Sequence, residues 1–295
     1  MEKAILEKKA GEIRKRVIDL TYHSQSGHSG PSLSWADIAA TLFFKEMKLN
    51  PEDVRGKIIS QENVTIAPKG QRDIFILSKG HAVPTVYSAI SLLNSEYIPK
   101  DALKTLRHID SSLEGHPVSG SFPLIDASTG SLGQGLSIAQ GYALGNKLQG
   151  LNSRVYVVLG DGEIQKGQVY EAAMSTTKFA QQGRLSGLTV ILDNNGYQGD
   201  GAIASTMPSL NPIPEKWKSF GWYVQQVDGH NHEQLIKAYE NARSVKDKPS
   251  IIISHTTKGK GVSFMEQNPA YWHGGVVTDD HYKQAMSELN GEKNE

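Results

Sequence analysis

Cysteine is absent from all 295 residues. Its absence excludes disulfides, cysteine-ligated zinc and thiol nucleophiles, and fits a chain that needs no oxidising compartment. An excess of charge of either sign is also missing. The 31 Lys and Arg balance the 31 Asp and Glu, leaving zero formal net charge and a pI near 7.2. Such a balance provides no long-range attraction toward nucleic acid or acidic membranes, so neither is expected as a partner. No apolar run approaches the roughly 20 residues that span a bilayer. The N-terminal segment lacks the apolar core of a signal peptide and instead alternates charges with Ile5, Leu6, Ile13, Val17 and Leu20. Residues 1–22 are therefore expected to form an amphipathic helix in a cytoplasmic protein. Hydrophobic residues make up 38% of the chain and its mean hydropathy is −0.40, ordinary values for a soluble globular protein.

Within that composition, two glycine-punctuated polar motifs stand out. Gly160-Asp161-Gly162-Glu163 and Asp193-Asn194-Asn195-Gly196 could each be an ordinary turn, since Asp-Gly and Asn-Gly are common turn dipeptides. Their placement argues for more. Residues 155–159 (Val-Tyr-Val-Val-Leu) and 188–192 (Leu-Thr-Val-Ile-Leu) are short, continuous apolar runs rich in β-branched residues, the pattern of strands buried on both faces of a parallel sheet. Residues 168–182, with Val169, Ala172, Ala173, Met174 and Phe179, read as the helix of a crossover between them. Both motifs thus fall at strand carboxyl ends, where open α/β sheets bind ligands. The Asp161 carboxylate and the Asn195 amide oxygen are hard donors suited to Mg²⁺ or Ca²⁺, and Gly162 offers a backbone N–H to an anionic oxygen. A diphosphate carried by a divalent metal is the expected ligand.

The rest of the chain extends the α/β reading. Residues 23–34 read as a Gly/Ser-rich loop, 35–47 as a helix and 51–70 as a polar surface excursion. Residues 73–78 read as a strand delivering Lys79-Gly80-His81, followed by a helix over 86–93. A glycine- and histidine-rich loop over 110–135 opens onto a helix over 136–148. Residues 201–214 read as a long loop, 222–227 as a strand, 233–244 as a helix and 251–256 as the last strand, feeding Lys258-Gly259-Lys260-Gly261. There is no internal repeat and no linker, so residues 1–295 are expected to form a single domain whose mostly parallel central sheet carries helices on both faces.

Read together, the ordered motifs resemble the thiamine-diphosphate-binding N-terminal domain of transketolase. They are Ser26-Gly27-His28, Leu77-Ser78-Lys79-Gly80-His81, Gly115-His116-Pro117, Gly130-Ser131-Leu132-Gly133-Gln134-Gly135, the segments 160–171 and 193–198, and Trp272-His273-Gly274. The resemblance implies a thiamine-diphosphate-binding fold and transfer of a two-carbon ketol unit from a ketose to an aldose. It also implies that Asp161, Asn195 and the Tyr197 carbonyl hold the metal. Gly162, His81 and His273 would then contact the diphosphate, Lys258 would add positive charge there, and Gly130 and Leu132 would line the thiazolium. The catalytic imidazoles would be His28, His81, His116 and His273, with His28 and His116 on the substrate's hydroxyls or carbonyl. His23, His108, His230, His232, His255 and His281 match no motif and are expected to be structural.

Transketolases continue into a pyrimidine-binding domain, which carries the glutamate that activates the cofactor, and into a third domain. This chain has no room for either, and its polar tail, residues 291–295, reads as a natural end. The resemblance therefore implies a split enzyme: an N-terminal subunit that needs a C-terminal subunit, expected as α₂β₂, to act on sugar phosphates. The alternatives are the α subunit of a 2-oxo-acid dehydrogenase and a non-catalytic cofactor-binding subunit. The ketose stays open, from pentose phosphates to sulfo- or branched sugars. Two positions depart from the pattern. Lys166 stands where relatives carry a second acid that helps join two active sites, and Ser29 stands where they commonly have proline; Glu171 is retained.

Overall fold

The computed structural model describes residues 2–50, 65–66 and 71–292. The expected surface excursion over 51–70 lies outside the described residues except at Thr65–Ile66, a two-residue strand (β2) paired parallel with β1, Lys48–Leu49.

Five parallel strands form the main sheet: β3 (Ile74–Leu77), β4 (Val155–Gly160), β5 (Leu188–Asn194), β8 (Tyr223–Asp228) and β9 (Ser250–His255), in spatial order β3-β4-β5-β9-β8. The short antiparallel pair β6 (Tyr197–Gln198) and β7 (Gly201–Ala202) lies outside it. The apolar runs read from the sequence are the central strands because a strand covered on both faces must be apolar at every position. Successive residues feed two cores. Tyr156 and Val158 join one core with Phe75, Leu77, Ile191 and Ile252. Val155, Val157 and Leu159 join the other with Ile76, Val190, Leu192, Ile251 and Ile253.

Helices close both faces. On one side lie α1 (Glu2–His23), α2 (Ser29–Leu33), α3 (Ala36–Thr41), α4 (Val83–Leu93) and, later in the chain, α9 (His232–Ser244) and α11 (Asp279–Asn290). On the other lie α5 (Gln134–Leu148), α6 (Gly167–Gln181) and α8 (Ile213–Ser219). The short α7 (Ile203–Thr206) and α10 (Ser263–Gln267) complete the set. The amphipathic reading of α1 holds: Leu6, Ala10, Ile13, Val17 and Leu20 are fully buried. The expected α/β architecture, a central parallel sheet with helices on both faces, is what the chain adopts.

Three local expectations are corrected. Residues 23–34 are not all loop, because α2 starts at Ser29. Its Pro31 falls in the first helical turn, where a missing N–H costs nothing. Residues 201–214 are not a long loop either. They hold β7, α7 and the start of α8, pinned by buried Ile203, Leu210 and Ile213, with Pro214 again in a first turn. The helix expected over 35–47 passes from α3 into a π-helical turn over Leu42–Glu46, which buries Phe43 and Phe44 together. Sequence reading also missed α11, whose start is fixed by a capping box between Thr278 and His281.

One polar contact inside this frame is energetically exposed. Lys79, just past β3, forms an ion pair with Asp193 near the end of β5, with the Lys and Asp side chains 2% and 0% exposed. The ammonium also donates to the Pro31 carbonyl at 2.9 Å. Removing one partner of such a pair leaves a bare charge in the interior and costs about 3–5 kcal/mol. Lys79→Met should therefore lower the unfolding free energy by that amount in urea titration. A loss under about 1 kcal/mol would mean that Asp193 keeps its charge without the lysine.

Candidate active site

The carboxyl ends of β3, β4 and β5 open onto a cavity of about 420 Å³. Two chemically different ends meet there. One is built of hard oxygens and the other of imidazoles.

Asp161 follows β4 directly and is 1% exposed. Its Oδ1 accepts from the Gly162 N–H at 2.8 Å and its Oδ2 from the Gly196 N–H, so two backbone amides aim the carboxylate. Burial, and then the nearby Asp193, push its carboxyl up to about 7. A buried carboxylate so short of positive charge is matched by a divalent cation. Asn195 sits opposite. Its Nδ2 donates to Asp193 Oδ2 at 3.3 Å, and its Oδ1 accepts from the Tyr197 N–H at 3.1 Å. Donation by Nδ2 to Asp193 fixes which way the amide points and leaves the oxygen, with its second lone pair, as the outward donor. Asp161, Asn195 and Tyr197 all line the cavity, so this donor set fits a hard cation. Gly162 is equally constrained, since a Cβ there would lie 2.8 Å from Gln198 Cβ.

The imidazole end is a triangle. Ring centroids of His28 and His81 are 5.3 Å apart, those of His28 and His273 5.6 Å, and those of His81 and His273 5.2 Å. Four remote segments deliver these rings and the charge beside them. His28 precedes α2 with φ +79, a left-handed conformation that a non-glycine residue holds only when its surroundings impose it. The bond from His28 N–H to the His273 carbonyl, at 3.0 Å, is part of that imposition. Gly27 permits the crossing, because a Cβ there would lie 2.4 Å from the Gly274 carbonyl oxygen. Lys258 Nζ stands 2.8 Å from His273 Nδ1. The ammonium can only donate, so this ring carries its own proton on Nε2.

All three rings are held neutral. Burial is the main cause, lowering His28 to about 4 and His273 to about 3, with Arg107 and His116 adding to the effect at His28 and Lys258 at His273. His81 is pushed well below its ordinary value, first by burial and then by Lys79. Burial likewise lowers Lys258 to about 8. His28 Nδ1 is buried with no hydrogen-bond partner among the described residues, an orphaned polar atom of the kind a bound ligand satisfies.

The remaining expected residues form the walls. Gly130 and Leu132 line the cavity. Gly130 has φ +142, and a Cβ there would strike the His116 ring at 2.8 Å. His116 thus stands behind Gly130 rather than in the cavity wall, and burial followed by Arg107 lowers it too. Lys258 also reaches the site indirectly, through His273. Gly162 N–H is engaged by Asp161 in this structure rather than standing open. Of the departures, Lys166 lies exposed at the cavity mouth and forms no ion pair among the described residues, and Ser29 is the first residue of α2. Of the histidines expected to be structural, His230 and His232 face Asp37, away from the cavity.

Sequence reading gave no separate role to two residues that organise the site. Glu163, 2% exposed, accepts from Ser78 Oγ, from Gly133 N–H at 2.8 Å and from Gly160 N–H at 3.1 Å. Asp193 accepts from Lys79, Thr256 and Ser34, the last at 2.5 Å. Both sit inside motifs already singled out, but an acidic residue beside a glycine turn reads as solvent-facing until the partners are seen.

A parallel α/β sheet with a metal and diphosphate site at its carboxyl edge defines the class to which this chain belongs. The family described as "Transketolase, thiamine diphosphate binding domain" matches residues 5–294, and the chain belongs to it. Among curated relatives, one of the two-part apulose-4-phosphate transketolase chains, from Phocaeicola vulgatus and named as a subunit, is 34% identical over 98% of this chain and 95% of its own length. The 6-deoxy-6-sulfo-D-fructose transketolase subunit SqwG of a Clostridium species is 38% identical over 97% of both. Human transketolase is 35% identical over 96% of this chain but only 42% of its own. Of solved structures, transketolase from Leishmania mexicana superposes with a TM-score of 0.81 at 28% identity, covering 97% of this chain and 41% of that one. The Campylobacter jejuni enzyme gives 0.80 at 28% identity, covering 98% and 43%. The chain therefore spans about two fifths of the transketolases of known structure. No helix among the described residues is long and apolar enough to cross a membrane.

The depressed histidines have a signed consequence for stability. An unfolded imidazole titrates near 6.5, whereas folded His28 titrates near 4. Between those values the unfolded chain binds the extra proton, so the contribution is complete above 6.5 and lost as pH falls toward 4. The urea midpoint should drop between about pH 7.5 and about pH 5, and His28→Gln should drop less. An identical drop in the variant would show that His28 is not held neutral.

Proposed function

We propose that this chain, residues 1–295 acting as a single diphosphate-binding unit, is the N-terminal subunit of a heteromeric transketolase of the cytoplasm. It would transfer a two-carbon ketol unit from a ketose phosphate to an aldose phosphate once a C-terminal subunit completes the site, in an α₂β₂ assembly. The observation that carries this reading is the meeting, in one cavity, of the Asp161 and Asn195 oxygens with the neutral triangle of His28, His81 and His273. Support for a split enzyme comes from relatives named as subunits, which match this chain end to end, while it spans under half of human transketolase.

Thiamine diphosphate, when bound, supplies the electron sink for breaking a carbon–carbon bond beside a carbonyl. This chain's residues do the rest of their half. Asp161, the Asn195 amide oxygen and the Tyr197 carbonyl hold Mg²⁺ (or Ca²⁺), the hard ion their oxygens select. His81, His273, Lys258 and the Gly162 N–H face the diphosphate, and Gly130 with Leu132 lets the ring system approach closely. His28 and His116 orient the substrate's hydroxyls and carbonyl. The low proton affinity of these imidazoles leaves each with one N–H donor and one bare acceptor at neutral pH. Such a ring can give a hydrogen bond to a developing oxyanion and take a proton from a hydroxyl without first losing its own.

Calorimetry of thiamine diphosphate with Mg²⁺ should show tight, metal-dependent binding when the C-terminal subunit is present, and ketol transfer only in the mixture. Turnover by the isolated chain would sink the split-site reading. Asp161→Ala should weaken metal-dependent binding by at least the 10–100-fold that loss of even a supporting residue costs a metal site, roughly speaking. His116→Ala should abolish transfer while sparing assembly. Unchanged activity in that variant would move the chain to the non-catalytic class.

A further inference from the structure

The segment between β9 and α10 carries Lys258 but has no regular secondary structure of its own. Gly259 and Gly261 hold it at φ +82 and +92. A lysine on such a loop would lose most of its positional precision unless side chains elsewhere fixed the backbone, because loop residues and a four-carbon stem both carry large conformational entropy. The structure supplies such fixing from a cluster outside the cavity.

Its centre is Asp37 on α3, 5% exposed. The carboxylate pairs with Arg14 of α1 and, through Oδ2, with His230 Nδ1 at 2.7 Å. His232 Nε2 stands 3.5 Å from Oδ1, while its Nδ1 meets Thr41 Oγ1 at 2.8 Å. His230 looks both ways: its Nε2 accepts the Thr257 N–H at 2.9 Å. A bare Nε2 places the ring proton on Nδ1, where Asp37 accepts it. Arg14 makes a second approach to the same loop, since a Cβ on Gly261 would lie 3.2 Å from its Cδ. Asp37 thus governs both flanks of Lys258, at Thr257 through His230 and at Gly261 through Arg14. Burial opposes its charge, yet the facing His230 and His232 and the Arg14 guanidinium hold its carboxyl well below the usual carboxylate range.

We propose that Asp37 and His230 are positioning residues for Lys258: the Asp37–His230–Thr257 relay sets the loop so that the ammonium meets His273 and the diphosphate end of the cavity. The proposal rests on the cofactor role given to Lys258 above. His230 touches neither substrate nor cofactor in it.

Two readouts separate the positioning from that role. In the full chain without cofactor, ¹⁵N NMR of His273 reports the bond that Lys258 gives to Nδ1. His230→Phe removes the acceptor for Thr257 and should change that signature, whereas His230→Gln, whose Oε1 can take the same N–H, should restore it. In the assembly with the C-terminal subunit, calorimetry of thiamine diphosphate with Mg²⁺ should show about 10-fold weaker binding for His230→Phe, recovery in His230→Gln, and no further loss when His230→Phe is added to Lys258→Ala. A His273 signature unaltered by His230→Phe, or full additivity with Lys258→Ala, would overturn the proposal. An altered signature with unchanged affinity in both single variants would keep the positioning and remove Lys258 from the cofactor's contacts.

Discussion

The buried Asp193 carboxylate is the contact on which the rest of the site depends. It closes β5 with no exposure, and it can keep its charge there because four groups converge on it: the Lys79 ammonium, the Ser34 and Thr256 hydroxyls and the Asn195 amide. Those groups come from the turn after β3, the segment after α2, the end of β9 and the loop after β5. One charge therefore ties together every segment that lines the metal end. Burial alone would raise the carboxyl, but the lysine charge and the hydroxyl donors outweigh it and the group lies below its ordinary value. The opposite shift at Asp161, which has amide donors but no cation in contact, distinguishes a structural carboxylate from one prepared for a ligand.

The histidine triangle obeys the same logic with the sign reversed. Three imidazoles packed within 6 Å of one another could not all carry charge beside Lys79 and Lys258. Burial removes that problem by keeping them neutral, and Lys258 then goes further by fixing the tautomer of His273. The site is accordingly a set of directed dipoles with a single cation above them. This arrangement leaves an anionic ligand to be met by Lys258, backbone N–H groups and a metal, not by imidazolium.

Much of this was legible in the sequence, and the reason is physical. Strands buried on both faces must be apolar throughout, so β4, β5 and β9 announced themselves, and the carboxyl edge of a parallel sheet fixed where Asp161 and Asn195 would stand. Glycine was informative at Gly27 and Gly130 because close approach leaves no alternative residue. Illegible features were those decided by tertiary contact. Nothing local says that His28 adopts a left-handed backbone, that Glu163 turns inward to bind Ser78 and two amides, or that His116 stands behind Gly130. The helices α2, α7 and α8 were missed because proline and glycine read as breakers, although proline in a first turn is compatible with a helix.

The two buried aspartates, Asp37 and Asp193, divide the task of placing Lys258. Thr256 donates to Asp193 and Thr257 donates to His230, which Asp37 holds, so adjacent residues of one strand end are gripped from the cavity side and from the outer side. The lysine that follows has little freedom except along its stem, and that stem lies against Gly30, where a Cβ would come within 3.4 Å of Lys258 Cγ. Gly259 N–H then bonds the Gly30 carbonyl at 3.1 Å, locking the loop to the helix that His28 begins. A change at either aspartate would therefore be felt at His28 and His273 together, because α2 and the Lys258 loop share these contacts. The histidine triangle and the metal end are two faces of one hydrogen-bonded frame, and the cavity keeps its shape only while both carboxylates remain paired.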